Sequence, residues 1–293
     1  MEKQLRLTLI LTCILATSCG KTPSEPVLPE SEKIPICIAP SPITKVTDNA
    51  YEIGDVTGLY VVNSGSSFST TGNHVDNMAF SFNGSSWQSS STIYWKDQNT
   101  PANFYCYYPR TENISDISAV PFSVKTDQST LEGYKASELL CGSRLNVSPT
   151  ADAVKITTTH RMSKILVYIV PGNGYTDESL ANENLSLTIN NLKVSAKLNL
   201  SSGEVTADGN PVDIIPYKED GYYCALVPPQ SLTNQTLISL RIGQDSFSLK
   251  ETISLKSNTQ HKVTLTVNKV SEGINIGIGN WENDGQDYGG TVN

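Results

Sequence analysis

From Tyr51 onward the sequence consists of short runs of β-branched and aromatic residues separated by Gly, Asn, Asp and Ser. Apolar and polar residues alternate within these runs, and the 3.6-residue spacing of an amphipathic helix is almost absent. Alternation with period two turns one face of a strand toward a core and the other toward solvent. The pattern therefore predicts an all-β fold. Its clearest segments are Asn103–Tyr107, Ser163–Val170, Leu185–Ile189, Val194–Leu200, Tyr222–Val227, Leu237–Ile242 and Lys262–Val267.

Two aromatic segments favour an internal duplication. Phe104–Pro109 and Tyr222–Pro228 each contain a cysteine within a β-rich run and end in proline. A chance match stays open, since aromatic strands that end in proline are common. The number of strands per half suits two β-sandwiches in tandem.

The chain divides into four predicted parts. Residues 1–18 form a signal peptide, 19–35 a lipidated, Pro-rich tether, 36–159 an N-terminal β-sandwich, and 160–293 a C-terminal β-sandwich with a polar tail.

The N-terminus is typical of an exported lipoprotein. A charged start with Lys3 and Arg6 precedes the apolar stretch Leu7–Ala16, which is too short to span a bilayer. The sequence Leu15-Ala-Thr-Ser-Cys19 then resembles a bacterial lipobox, in which the cysteine is acylated. We therefore expect lipidation at Cys19 and attachment to the outer membrane. An ordinary secretory signal with a chance cysteine is the alternative.

The tether precedes the first candidate strand. Counting Pro42, six prolines lie from Cys19 to Pro42, which favours an extended segment at least as far as Lys33. Ile34–Ala39 is then apolar enough to form a strand, and Pro35 restricts it to a sheet edge or a strand start.

The cysteine pattern and the charge exclude several functions. Cys37, Cys106, Cys141 and Cys224 have no metal-ligand or redox spacing, so we expect buried thiols, with disulfides as the alternative. The formal net charge of −8 disfavours binding to nucleic acid.

Catalytic motifs are absent from the sequence. Its three histidines, His74, His160 and His261, lie outside any known hydrolase or metalloprotease motif, and the sequence contains no phosphate-binding loop. We expect no enzyme activity, no cofactor and no metal site.

Aromatic residues raise an alternative function, a non-catalytic surface glycan-binding lipoprotein. Trp87, Trp95 and the tyrosines near position 105 could stack on sugars, although core packing is the more common role of such side chains.

Several segments, in order, resemble the fimbrillin family of Bacteroides-type bacteria. They are Thr44–Thr47, Tyr51–Tyr60, Tyr94–Trp95, Phe104–Pro109, Thr126–Ser129, His160–Ile165, Val227–Gln230 and Ile274–Trp281. The resemblance implies two transthyretin-like β-sandwich domains, export as a lipoprotein, and a fimbrial structural or accessory subunit with a role in adhesion. Its partners would be other fimbrial subunits, the outer membrane through the lipid, and a host or bacterial surface ligand.

In that family a protease removes the anchor and first strand, and a strand of the next subunit fills the groove. The resemblance makes Ile274, Ile276 and Ile278 the candidate donor strand, since they alternate along one face. An ordinary terminal strand that completes its own sheet is the alternative. The family's protease cuts after arginine, but no arginine lies between Cys19 and Tyr51. Lys33 is the first candidate cut and Lys45 the second; a subunit that keeps its lipid is the other interpretation.

Overall fold

The computed structural model describes residues 33–42, 51–270, 273–279 and, for the backbone only, 282–283. The strands are β1 (Ile38–Pro42), β2 (Val56–Asn63), β3 (Val75–Phe82), β4 (Trp87–Ser89), β5 (Ala102–Tyr108), β6 (Val120–Ser123), β7 (Leu140–Val147), β8 (Val154–His160), β9 (Ser163–Pro171), β10 (Leu185–Leu198), β11 (Val205–Ile214), β12 (Tyr217–Glu219), β13 (Tyr222–Val227), β14 (Gln230–Ile242), β15 (Asp245–Leu255), β16 (Gln260–Val270), β17 (Gly273–Ile278) and β18 (Glu282–Asn283). The described helices are α1 (Leu131–Lys135) and α2 (Asp177–Ala181). Neither is long enough to cross a membrane. The predicted all-β class is confirmed.

The first sandwich is built on one sheet with the strand order β1-β8-β7-β5-β2-β3-β4. Its inner strand β2 is buried on both faces, since Leu59 and Val61 pack into one core and Tyr60 and Val62 into another. The segment before β1 bridges to Tyr94, beyond the other end of the sheet, so the sheet curls around the first of these cores.

The second sandwich has two facing sheets. One has the order β11-β10-β14-β15, and the other has the order β12-β13-β9-β16-β17. Alternate residues of facing strands, such as Ile189 of β10 and Val263 of β16, fill the core between them at 0 % exposure. The predicted tandem arrangement of sandwiches is therefore observed.

A third core, which we call the junction core, joins the two sandwiches. Tyr60, Tyr107 and Cys141 from the first sheet pack there with Leu198 of β10 and Leu226 of β13. Strand β6 belongs to the first half of the sequence but pairs with β10 of the second. The predicted boundary between the two sandwiches, between residues 159 and 160, falls at the end of β8. Because β6 lies before this boundary but pairs with β10 beyond it, the boundary stays a prediction.

Gln128 links the two sandwiches at the same junction through hydrogen bonds. Its side chain is fully buried, and its amide group donates to the Leu226 carbonyl oxygen (2.8 Å) and accepts from the Leu226 amide (2.9 Å). The backbone of β13 is thereby held by a residue 98 positions earlier in the chain. Such a buried polar contact is costly to break, because it leaves unpaired backbone groups behind.

Candidate assembly strands

The segment 34–42 fills a gap between two backbone edges of the first sandwich. Ile36 donates its amide hydrogen to Ile93 (2.8 Å), and Ile34 accepts one from Trp95 (2.9 Å). Strand β1 then pairs in parallel with β8, from Ile38 opposite Val154 to Pro42 opposite Thr158. Loss of this segment would leave a groove between residues 93–95 and β8.

The sequence explains this position. Ile36 and Ile38 are only 5 % and 4 % exposed, whereas Cys37 between them is exposed. Pro40 and Pro42 have no amide hydrogen, which is tolerated because β1 is a terminal strand of its sheet. The strand begins at Ile38, later than predicted, since residues 34–36 pair with the other edge first.

The candidate donor strand β17 forms the outer edge of its own sheet. It pairs antiparallel with β16, from Gly273 opposite Val270 to Ile278 opposite Leu265. Ile274 and Ile276 are half-buried against the second core, and Ile278 is 52 % exposed. In this structure β17 therefore completes its own sheet, and its role as a donor stays a prediction.

A cavity of about 420 Å³ lies between β17 and the facing edge strand β15. Its walls are mainly apolar and include Leu240, Phe247, Leu265 and Ile276. The apolar face of β17 is thus less completely covered than that of β1. Because hydrophobic stabilisation scales with the apolar area removed from water, the isoleucines of β17 contribute less stabilisation than those of β1.

The two terminal segments carry the same pattern. Ile34, Ile36 and Ile38 alternate before and into β1, and Ile274, Ile276 and Ile278 alternate in β17. Each segment is recognisable from the sequence as a candidate strand. The signal was present in the sequence, since both read Ile-x-Ile-x-Ile.

Of the candidate processing and lipidation sites, Lys33 is the one within the described residues. Lys33 directly precedes the buried segment, and its Nζ lies 5.5 Å from the centre of the Tyr94 ring. Lys45 and Cys19 lie outside the described residues.

The end of β1 lies beside a small cavity of about 80 Å³ at the junction, lined by Pro42, Tyr51, Glu138 and His160 among others. His160 donates from Nδ1 to the Glu138 carboxylate at 3.0 Å. Burial lowers the pKa of His160, but the charge and hydrogen bond of Glu138 outweigh it, so the net shift is upward. The Tyr51 hydroxyl bonds Thr158 Oγ1 (3.0 Å), and burial raises its pKa.

The aromatic residues proposed for sugar stacking are mostly core residues. Trp95, Tyr105 and Tyr107 are at most 9 % exposed, and Trp95 donates from Nε1 to the Thr150 carbonyl oxygen (3.0 Å). Trp87 is half-buried and packs edge-on against Tyr51. These residues form no open stacking platform.

Three of the candidate cysteines lie inside the protein. Cys106, Cys141 and Cys224 are buried thiols. Within the described ranges, no group of three or more His, Cys, Asp or Glu side chains is placed to hold a metal ion.

Comparison with known proteins agrees with these observations. A family model described as "Fimbrillin-like" matches residues 44–281. A protein of Bacteroides uniformis assigned as a fimbrium subunit is 24 % identical over 303 residues, covering 96 % of each chain.

Solved structures share the fold. A Bacteroides uniformis protein assigned to cell adhesion matches with a TM-score of 0.66 and 18 % identity, over 87 % of this chain and 99 % of its own. Another from Bacteroides ovatus matches with a TM-score of 0.67 and 16 % identity, over 85 % and 97 %.

Proposed function

Because the chain belongs to the fimbrillin-like family, we propose that it is a fimbrial subunit that joins its neighbours by exchange of terminal β-strands. The segment 34–42 is removed from the first sandwich, and β17 of the preceding subunit takes its place. The partners are other fimbrial subunits, of this or a related sequence, at the cell surface.

The shared Ile-x-Ile-x-Ile pattern carries this proposal. In the groove, Ile36 and Ile38 fill buried positions, and an incoming strand must supply apolar groups at the same two-residue spacing. Ile274, Ile276 and Ile278 have that spacing. Burying one isoleucine completely contributes about 1.5–3 kcal/mol, so fuller burial in the groove would favour the transfer of β17, and pairing with the groove edges would replace its backbone pairing with β16.

Chain direction supports the exchange. Strand β1 runs from the outer end of the first sandwich toward the junction, because it is parallel to β8, which ends there. Strand β16 is parallel to β9 and ends at the outer end of the second sandwich, where β17 begins. A β17 released from β16 therefore leaves from that outer end. When the next subunit is stacked head to tail beyond that end, the released β17 enters the groove of that subunit and runs in the same direction as the β1 that it replaces.

The buried position of β1 favours Lys45 over Lys33 as the cut that opens the groove. A cut after Lys33 leaves Ile36 and Ile38 in place and opens no groove. A cut after Lys45 detaches the whole segment 34–42 together with the lipid on Cys19. The cut that prepares assembly is therefore the one after Lys45, and a subunit that is not cut there stays anchored through Cys19.

A lysine-specific protease tests the assembly. We expect the purified precursor to form a ladder of oligomers after digestion, the Lys45→Gln variant to form none, and the Lys33→Gln variant to behave like the original protein. Absence of a ladder from the original protein, with cleavage after Lys45 verified by N-terminal sequencing, would refute strand exchange.

The donor strand has a matched control. Ile276→Ser places a hydroxyl on the apolar face of β17 and should shorten or abolish the ladder. Asn275→Ser changes the exposed opposite face of the same strand and should leave the ladder unchanged. Equal ladders from the two variants would exclude β17 as the donor.

A further inference from the structure

The groove of the first sandwich has three fully covered positions. Ile36 and Ile38 are 5 % and 4 % exposed, and Pro40 is buried opposite Ile156, which is 0 % exposed. Ile34, at the open end of the groove, is only partly buried against the same core. An incoming strand therefore meets the core most closely at positions 36, 38 and 40.

Sequence likeness and burial select different registers for an incoming β17. Matching the two Ile-x-Ile-x-Ile patterns places the donor isoleucines at positions 34, 36 and 38, which we call the outer register. Matching burial places the same isoleucines two residues deeper, at positions 36, 38 and 40, which we call the inner register. Both registers turn the isoleucines toward the core, because a shift by two residues keeps the face of a strand.

The residue that enters position 40 separates the two registers. In the outer register this residue is Asn280 of the donor, and its amide group would be buried opposite Ile156. A polar group in apolar surroundings is costly unless it finds a hydrogen-bond partner. In the inner register Ile278 enters the same position, and all three isoleucines of the donor are removed from water.

The open end of the groove has the opposite preference, but a weaker one. The inner register brings Glu272 of the donor to position 34, where the native residue is isoleucine. Position 34 is only partly buried, so a carboxylate there keeps contact with water. Since position 40 is covered and position 34 is not, burial favours the inner register.

Backbone pairing is compatible with the inner register. Ile36 donates its amide hydrogen to the Ile93 carbonyl oxygen (2.8 Å), and Ile274 at the same position has an amide hydrogen to donate. The Cys37 carbonyl oxygen accepts from the Val154 amide (2.8 Å), and any residue can supply that acceptor. The incoming strand can therefore pair with both edges of the groove.

We propose that β17 of one copy enters the groove of the next copy in the inner register, with its three isoleucines at positions 36, 38 and 40. This inference rests on the strand exchange proposed above and adds the register, which strand exchange alone leaves open. It also defines the partner. A related subunit serves as donor only when its terminal strand carries apolar residues at all three of these positions.

Disulfide trapping within the ladder reads the register. Positions 39 and 41 of the groove strand lie opposite Lys155 and Thr157 of β8. The inner register brings Gly277 and Gly279 to these two positions, whereas the outer register brings Gly279 opposite Lys155. A slip of two residues separates the paired Cα atoms by about 8 Å, which exceeds the limit of about 7 Å for a disulfide.

Three double variants, each cleaved after Lys45 and oxidised gently, separate the registers. Lys155→Cys with Gly277→Cys, and Thr157→Cys with Gly279→Cys, should give ladders that persist on a denaturing gel and collapse on reduction. Lys155→Cys with Gly279→Cys should give no such ladder. Cleavage removes the exposed Cys37, and the other described cysteines are buried, so they do not compete.

The outcomes distinguish this inference from the proposed function. Cross-linking of Lys155→Cys with Gly279→Cys, in place of the other two pairs, would overturn the inner register and leave strand exchange intact. A ladder in which none of the three pairs cross-links would overturn it as well. Absence of a ladder from the original protein refutes strand exchange, and the register with it.

Ile274→Ser provides a second readout. The inner register places this serine at position 36, where the native side chain is 5 % exposed, so the ladder should be lost. The outer register places it at the partly buried position 34, where the ladder should be retained. Asn275→Ser on the opposite face is the control and should assemble normally. A ladder from Ile274→Ser equal to that of the control would overturn the inner register.

Discussion

Replacing Ile36 or Ile38 by alanine should strongly destabilise the precursor. Both side chains are almost completely buried in the first-sandwich core, with Leu59, Phe104 and Trp95 in the same cluster. Truncation of a buried isoleucine to alanine costs about 2–5 kcal/mol, from lost burial and from the cavity that remains. The total stability of a domain is about 5–15 kcal/mol, so the double variant should approach unfolding at room temperature.

Urea denaturation followed by tryptophan fluorescence measures the effect, because Trp95 lies in the affected core. Cys37→Ala is the matched control, since Cys37 is on the same segment but exposed, and its effect should stay within about 0.5 kcal/mol. Losses below about 1 kcal/mol for both isoleucine variants would refute the reasoning. The segment 34–42 would then not be an integral part of the sandwich, and its removal would leave no groove to fill.

Further predictions concern the donor strand and the junction. A synthetic peptide of residues 273–279, added to cleaved subunit at 100 times its Kd, should stabilise it by about 2.7 kcal/mol in urea denaturation, and no stabilisation would contradict binding in the groove. Gln128→Ala should cost about 1–3 kcal/mol, because it leaves buried backbone groups of β13 unpaired; a smaller loss in the same assay would mean that water replaces the side chain. Gly142→Ala should destabilise, since the new Cβ would lie 2.0 Å from a β8 carbonyl oxygen, and an unchanged melting temperature would contradict this packing. Burial lowers the pKa of His160 but Glu138 outweighs it, so the pKa lies above its usual value of 6.5; the stability contributed by this pair is therefore fully present below pH 6.5 and is lost as pH rises through the folded-state pKa. Comparing melting temperature against pH for the original protein and His160→Gln checks this, and parallel profiles would refute it.

The junction joins the two sandwiches through shared packing and paired backbone. Strand β10 serves the second sandwich through Ile189 and the junction core through Leu198. Strand β6 pairs with β10 across the same boundary. Since the two sandwiches share a buried core and paired backbone, a subunit held at its two ends would transmit force between them without a flexible linker.

Local sequence pattern predicted the strands and their faces, because alternation along a strand depends only on the residues in that strand. It also identified the terminal segments around Ile36 and Ile276, and the prolines that restrict β1 to an edge. The two similar aromatic segments and the strand count predicted the tandem sandwiches, and resemblance to the fimbrillin family added their transthyretin-like type and the candidate cuts.

Only the tertiary structure decided which strands are neighbours. Backbone hydrogen bonds are chemically the same at nearly every residue, so alternation indicates which face is buried but not what covers it. The pairing of β6 with β10, the bond of Gln128 to Leu226, and the docking of β17 on β16 therefore depend on contacts between distant parts of the chain. Cys141 and Leu198 likewise lie together in the junction core. The sequence does not predict this, because an apolar residue can pack in the core of one sandwich or in a core between two.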